Sequence, residues 1–177
     1  MHYNWFCFIE DFNFDLINNL PKNTSVIYRN YSNHSNIEAI VKTQNICKKK
    51  KIKFYLANNI KLALNLNLDG VYIPAFNKKF DINSYQLKIN FKILGSAHNI
   101  YEIRTKELQK VDYLFLSPLF LSKKNKKFLG IYRFMNLSKK TKKKVVCLGG
   151  INNNNIKITK LIKSYGVSGI SFFNEKI

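Results

Sequence analysis

The 177 residues, 46% of them hydrophobic, supply one compact core and fall short of two. No run of 18 apolar residues exists, which excludes a membrane-spanning helix, and the N-terminus shows no basic segment followed by an apolar stretch, so a cytoplasmic location is expected and no secretory one. Thirty Lys and Arg against ten Asp and Glu give a formal charge of +20, which favours anionic partners: nucleic acid, a membrane surface or phosphorylated small molecules.

Along the chain, short β-branched or aromatic runs at 5–9, 25–28, 53–56, 70–73, 92–94, 112–116, 145–148 and 169–173 predict eight strands. Most are near-continuous apolar runs, as parallel strands covered on both faces require. Segments of helical spacing fall between them, at 12–19, 37–50, 60–68, 82–87, 100–108, 132–140 and 156–165. Strand and helix alternating around one core make a (β/α)8 TIM barrel over residues 1–177 the leading expectation, ahead of an open doubly wound sheet. Such barrels usually run to about 250 residues, so every loop must be short. Only four residues follow the last predicted strand, so the eighth helix is expected to be missing or truncated. The flank of strands 8 and 1 is then left open, closed by the first helix, or buried in a homo-oligomer.

The order of elements sorts the basic runs. Lysines at 48–51 and 139–144 precede strands and fall on the bottom of the barrel, beside helix C-termini whose dipoles they complement. Lys123, Lys124, Lys126 and Lys127 follow strand 6 in a top-face loop, where they either clamp a phosphate or are simply solvated. Only Arg29, Arg104 and Arg133 are arginines, and the wealth of Asn, Ile and Lys matches A- and T-rich codons; both disfavour a nucleic-acid partner. Cys7, Cys47 and Cys147 are odd in number and far apart, with neither a disulfide framework nor a metal-ligand spacing, which fits a reducing compartment. Leu148-Gly149-Gly150-Ile151 ends strand 7 and leads into a helix expected from about Asn152. Adjacent glycines let backbone approach an anion closely, and barrels of this kind often bind phosphate there.

Leu56-Ala57-Asn58-Asn59-Ile60-Lys61-Leu62-Ala63-Leu64, followed by Leu68-Asp69-Gly70-Val71-Tyr72-Ile73, then Gly95-Ser96-Ala97-His98, then Val111-Asp112-Tyr113 through Ser117-Pro118-Leu119-Phe120, then the Gly-Gly turn, occur in fixed order. In that order they resemble the thiamine-phosphate synthase and thiazole-tautomerase (TenI-like) barrels, from about Ser25 to Asn174. The resemblance implies a transferase that joins hydroxymethylpyrimidine pyrophosphate to thiazole phosphate by a dissociative route, with Mg²⁺ holding the leaving pyrophosphate.

Carried over residue by residue, the likeness implies that Arg29 contacts pyrophosphate, although Ile27 and Tyr31 stand where the family has Gln and Lys. Ser96 matches the serine after strand 5, Ser122 the first hydroxyl after strand 6, and Lys124 the lysine there, with Lys123 and Lys126 beside it. Gly149, Gly150 and the backbone of Phe173 and Asn174 match the thiazole-phosphate cradle. The metal aspartates fall on Asn58 and Asn77, where an amide offers an oxygen without charge. Ala75 replaces a glutamine, and Pro118 occupies the place of the tautomerase histidine, which counts against that activity. His98 faces the mouth as a structural or functional group, and Glu10 and Asp11 end strand 1 as alternative metal ligands. Three functions follow: a divergent synthase, a non-catalytic barrel that binds a phosphorylated metabolite, and a basic RNA-associated scaffold.

Overall fold

A computed structural model of the chain describes residues 4–31, 36–121, 127–162, 164–169 and 171–174. Eight parallel strands run β1 (Asn4–Ile9), β2 (Thr24–Tyr28), β3 (Phe54–Ala57), β4 (Gly70–Ile73), β5 (Lys92–Ala97), β6 (Tyr113–Leu116), β7 (Lys144–Leu148) and β8 (Gly166–Gly169). They pair in chain order and β8 returns to β1, closing a barrel. Outside lie α1 (Phe14–Asn19), α2 (Ile37–Lys50), α3 (Ile60–Asn65), α4 (Ile100–Leu108), α5 (Gly130–Ser138), α6 (Ile156–Leu161) and the single turn α7 (Ser171–Asn174). Between β4 and β5 a 3-10 turn (Asp81–Ser84) replaces the helix expected at 82–87. No helix among the described residues is long and apolar enough to cross a membrane.

The abundance of asparagine has a structural use. Asn13, Asn36, Asn59 and Asn99 each accept a hydrogen bond from the backbone N–H three residues on, at Leu16, Ala39, Leu62 and Glu102, and so start four of the helices. At the bottom, two aspartates fix strand register in the same way. Asp69 accepts from the Phe54 amide at 3.0 Å while its own amide donates to the Phe54 carbonyl at 3.2 Å. Asp112 makes the same reciprocal pair with Ile93, at 2.8 and 2.7 Å. Lys144, from the second bottom-face lysine run, lies 4.9 Å over the ring of Tyr165.

Alternation along each strand divides the core. Phe6, Phe8, Ile27, Tyr55, Tyr72, Leu94, Phe115 and Val146 are buried together as one cluster, while their neighbours Cys7, Ile9, Val26, Leu56 and Val71 join the larger cluster beneath the helices. Phe115 meets Phe6 at 5.0 Å and 74°, and Tyr72 at 5.6 Å and 88°, edge to face. Burial pushes the thiols of Cys7, Cys47 and Cys147 up to about 12, so all three stay protonated and unreactive.

The eighth strand corrects the expectation of 169–173. Gly166–Gly169 pairs with β1 instead, because the chain needs glycine there: a Cβ on Gly166 would lie 2.4 Å from the Asn4 carbonyl oxygen. The aromatic pair that suggested a strand turns outward as α7. Phe172 stacks on Trp5 at 5.1 Å and 10°, and Phe173 meets it edge-on at 5.8 Å. These three rings pack together beside the β8–β1 pair. Trp5→Ala is expected to cost about 2–3 kcal/mol of stability, read as a lower midpoint in urea unfolding.

Candidate functional site

The mouth is formed by the segments that follow the strands. After β2, the Arg29 amide donates to the Ile9 carbonyl at 2.7 Å, and the guanidinium lies 4.8 Å from the centre of the Phe8 ring. Glu10 is 3.9 Å away, but its side chain is 64% exposed, so the ring orients Arg29 more than the ion pair does. Glu10, Arg29, Asn30 and Tyr31 line a cleft of about 340 Å³. Tyr31 meets Phe76 edge-on at 5.4 Å across the β2 and β4 loops. Burial raises the phenol of Tyr31, against the opposing pull of Arg29, so it remains neutral. Tyr72 forms the floor; burial raises its phenol too, and it is hydrogen-bonded to Ser96, itself only 4% exposed. Ser96 stands two residues nearer the mouth end of β5 than Leu94, the strand partner of Tyr72.

In the neighbouring β3 and β4 loops, Asn58 and Asn77 come together. The Asn77 amide donates to the Asn58 side-chain oxygen at 2.7 Å, and the Asn77 side-chain oxygen accepts from the Lys79 amide at 2.9 Å. Behind them sits Lys106 of α4, fully buried, whose ammonium donates at 2.8 Å to the carbonyls of Pro74 and Asn77 and to the Gln109 side-chain oxygen. Gln109 returns donors to the Asn77 and Lys79 carbonyls at 3.0 and 2.7 Å, so both residues hold the β4 loop from below. Gly95 makes room for the lysine stem: a Cβ there would stand 2.9 Å from Lys106 Cδ. Burial lowers the Lys106 ammonium to about 8.

Mg²⁺, implied by the family likeness at Asn58 and Asn77, does not fit these side chains. Both amide oxygens already accept hydrogen bonds, neither carries charge, and a buried ammonium lies directly behind. Among the described residues, no three His, Cys, Asp or Glu side chains gather to hold a metal ion.

After β7, Gly149 (φ +94°) and Gly150 (φ +68°) turn against the β6 loop. A Cβ on Gly149 would fall 2.7 Å from Pro118 Cβ, and one on Gly150 would fall 2.4 Å from the Phe120 carbonyl oxygen. The helix that follows opens at Ile156 rather than near Asn152. Asn155 accounts for the delay, since it accepts from the Asn152 amide at 2.9 Å and donates to the Gly150 carbonyl at 2.8 Å, building a turn first. Phe173 belongs to α7 and packs on Trp5, away from a strand end. His98 is held by Glu102, which accepts from the His98 amide at 2.7 Å and meets its ring at 2.8 Å, closing the first turn of α4. Ser122, Lys123, Lys124 and Lys126 lie outside the described residues, as does the side chain of Asn174.

The sequence profile of the family described as thiamine monophosphate synthase matches residues 18–175. The chain belongs to that family. Thiamine-phosphate synthase of Prochlorococcus marinus strain AS9601 is 28% identical over 137 residues, 75% of this chain but 38% of its own length. The putative thiamine-phosphate synthase 2 of Aquifex aeolicus is 28% identical over 132 residues, covering 73% of this chain and 70% of its own. Thus the chain spans well under half of the Prochlorococcus relative. Among solved structures, thiamine phosphate pyrophosphorylase from Pyrococcus furiosus superposes with a TM-score of 0.74 at 17% identity, over 94% of this chain and 84% of that one, a likeness of fold.

For a thiamine monophosphate synthase barrel, the residue missed in the sequence is Lys106. The signal was present: Ile100, Ile103 and Lys106 share one face of α4, so the lysine sits in the inward phase of an amphipathic helix. Two outcomes test the site. Gly150→Ala, strained at positive φ and against the Phe120 carbonyl, is expected to lose about 2 kcal/mol or more by urea unfolding. Below about 8 the folded chain holds Lys106 charged at a desolvation cost; between there and the ordinary lysine value of 10.5 it binds fewer protons than the unfolded chain, so stability rises with pH. The stability gap between wild type and Lys106→Met should therefore widen from about pH 7.5 to about pH 10, measured by urea midpoints at each pH.

Proposed function

We propose that the chain is a divergent thiamine-phosphate synthase of the cytoplasm, acting on hydroxymethylpyrimidine pyrophosphate and thiazole phosphate. The carbon–oxygen bond to pyrophosphate breaks with its electron pair leaving on the pyrophosphate, and the thiazole nitrogen forms the new bond to that carbon. The observation that carries this reading is Arg29, seated on Phe8 above an aromatic floor, in a family member whose Gly149-Gly150 turn is retained.

The guanidinium offers a planar fork to a departing anion, which is what a dissociative step asks of the protein. The neutral Tyr72 phenol and Phe8, packed edge to face at 5.1 Å and 81°, form an apolar corner against which a pyrimidine ring can be held in line with its partner. The Gly149-Gly150 turn packs closely on the β6 loop, so the phosphate of the second substrate would sit where the two loops meet, and the sequence adds Ser122, Lys123, Lys124 and Lys126 from the loop after β6. Mass detection of thiamine phosphate, after incubation with both substrates, tests the proposal. Product above the no-protein blank is expected, with Arg29→Ala lowering kcat by about 10²–10³. No product, with thiazole phosphate still raising the melting temperature, would favour the non-catalytic barrel.

A further inference from the structure

At Asn58 and Asn77, where the family likeness implies a cation, the chain holds a closed amide pair. One amide nitrogen donates to the other amide oxygen at 2.7 Å, the second oxygen is taken by the Lys79 amide, and Asn58 rests in the left-handed region (φ 58°), which asparagine tolerates well. A divalent ion there would have to break both bonds and gain no charged ligand. It would also face the ammonium of Lys106, which is 2.8 Å from the Asn77 carbonyl, completely buried, and hydrogen-bonded to three neutral oxygens. Like charges in a poorly solvated interior repel strongly.

We infer that the mouth holds its pyrophosphate-bearing ligand without a divalent metal ion: the Asn58–Asn77 amide pair, backed by the Lys106 ammonium, fills the place of the metal, and protein cations led by Arg29 meet the anion. The ligand identity rests on the synthase reading, whereas the metal independence rests on the amide pair and the lysine. Lys106 is a positioning residue. It reaches the mouth through the β4 loop, whose Pro74 and Asn77 carbonyls it holds, and its charge opposes a second cation at the same spot.

Two measurements on the full chain test this without turnover. Isothermal titration with inorganic pyrophosphate in EDTA is expected to show binding, weakened at least about tenfold by Arg29→Ala. Mn²⁺ uptake, read by electron paramagnetic resonance, is expected to be absent in wild type below millimolar concentration and to appear in an Asn58→Asp, Asn77→Asp double variant, with at least about tenfold tighter binding. Adding Lys106→Met to that double variant should tighten Mn²⁺ further, a change that a purely structural role for the lysine would not produce. Pyrophosphate bound only after Mg²⁺ is added, no pyrophosphate bound under either condition, or sub-millimolar Mn²⁺ uptake by wild type would each overturn the inference. Metal-free pyrophosphate binding with no thiamine phosphate formed would instead remove the synthase reading alone.

Discussion

The mouth depends on the edge-to-face packing of Phe6, Phe8 and Tyr72 about Phe115 inside the barrel. Strands this short, four to six residues each, cannot stack many layers of aliphatic side chains, so a few large rings fill the interior in their place. Because the rings meet at steep angles, each is locked by its neighbours. Phe8 then presents a fixed face to Arg29, and Tyr72 a fixed hydroxyl to Ser96. The orientation of the guanidinium is thus inherited from the core and owes little to the distant, solvent-exposed Glu10.

The same economy marks the β3 and β4 loops. Neutral amides there satisfy one another, and the positive charge behind them is carried by a side chain threaded past Gly95. Threading is what burial of a lysine requires: the four-carbon stem passes so close to Gly95 that a Cβ there would crowd it, and the ammonium finds three carbonyl-type oxygens at its tip. The cost of desolvating the charge is offset by those bonds, which in turn fix the loop.

Much of the barrel was legible in the sequence because parallel strands buried on both faces leave near-continuous apolar runs, and seven of the eight were found within a few residues. The eighth was misplaced for a physical reason. Gly166-Val-Ser-Gly carries little β-propensity and is a strand only because close approach to Asn4 demands glycine, whereas Phe172 and Phe173 look like strand residues and instead serve Trp5. Local pattern also failed at Lys106, where composition advertises a solvated charge and the helical phase says otherwise. The pairing of Asn58 with Asn77 joins residues of different loops, so no spacing rule could expose it; the likeness to a family placed both residues but said nothing of their contact.

The reciprocal bonds of Asp69 to Phe54 and of Asp112 to Ile93 sit at the opposite end of the barrel from every group discussed at the mouth. Stave alignment is settled there, one aspartate for each of two strand pairs. Substitutions among the upper loops therefore leave the alignment untouched, and the two ends are free to drift under separate selection. A barrel clamped at its foot can lose a pair of carboxylates at its rim, or acquire a lysine beneath them, and still close on the same eight strands.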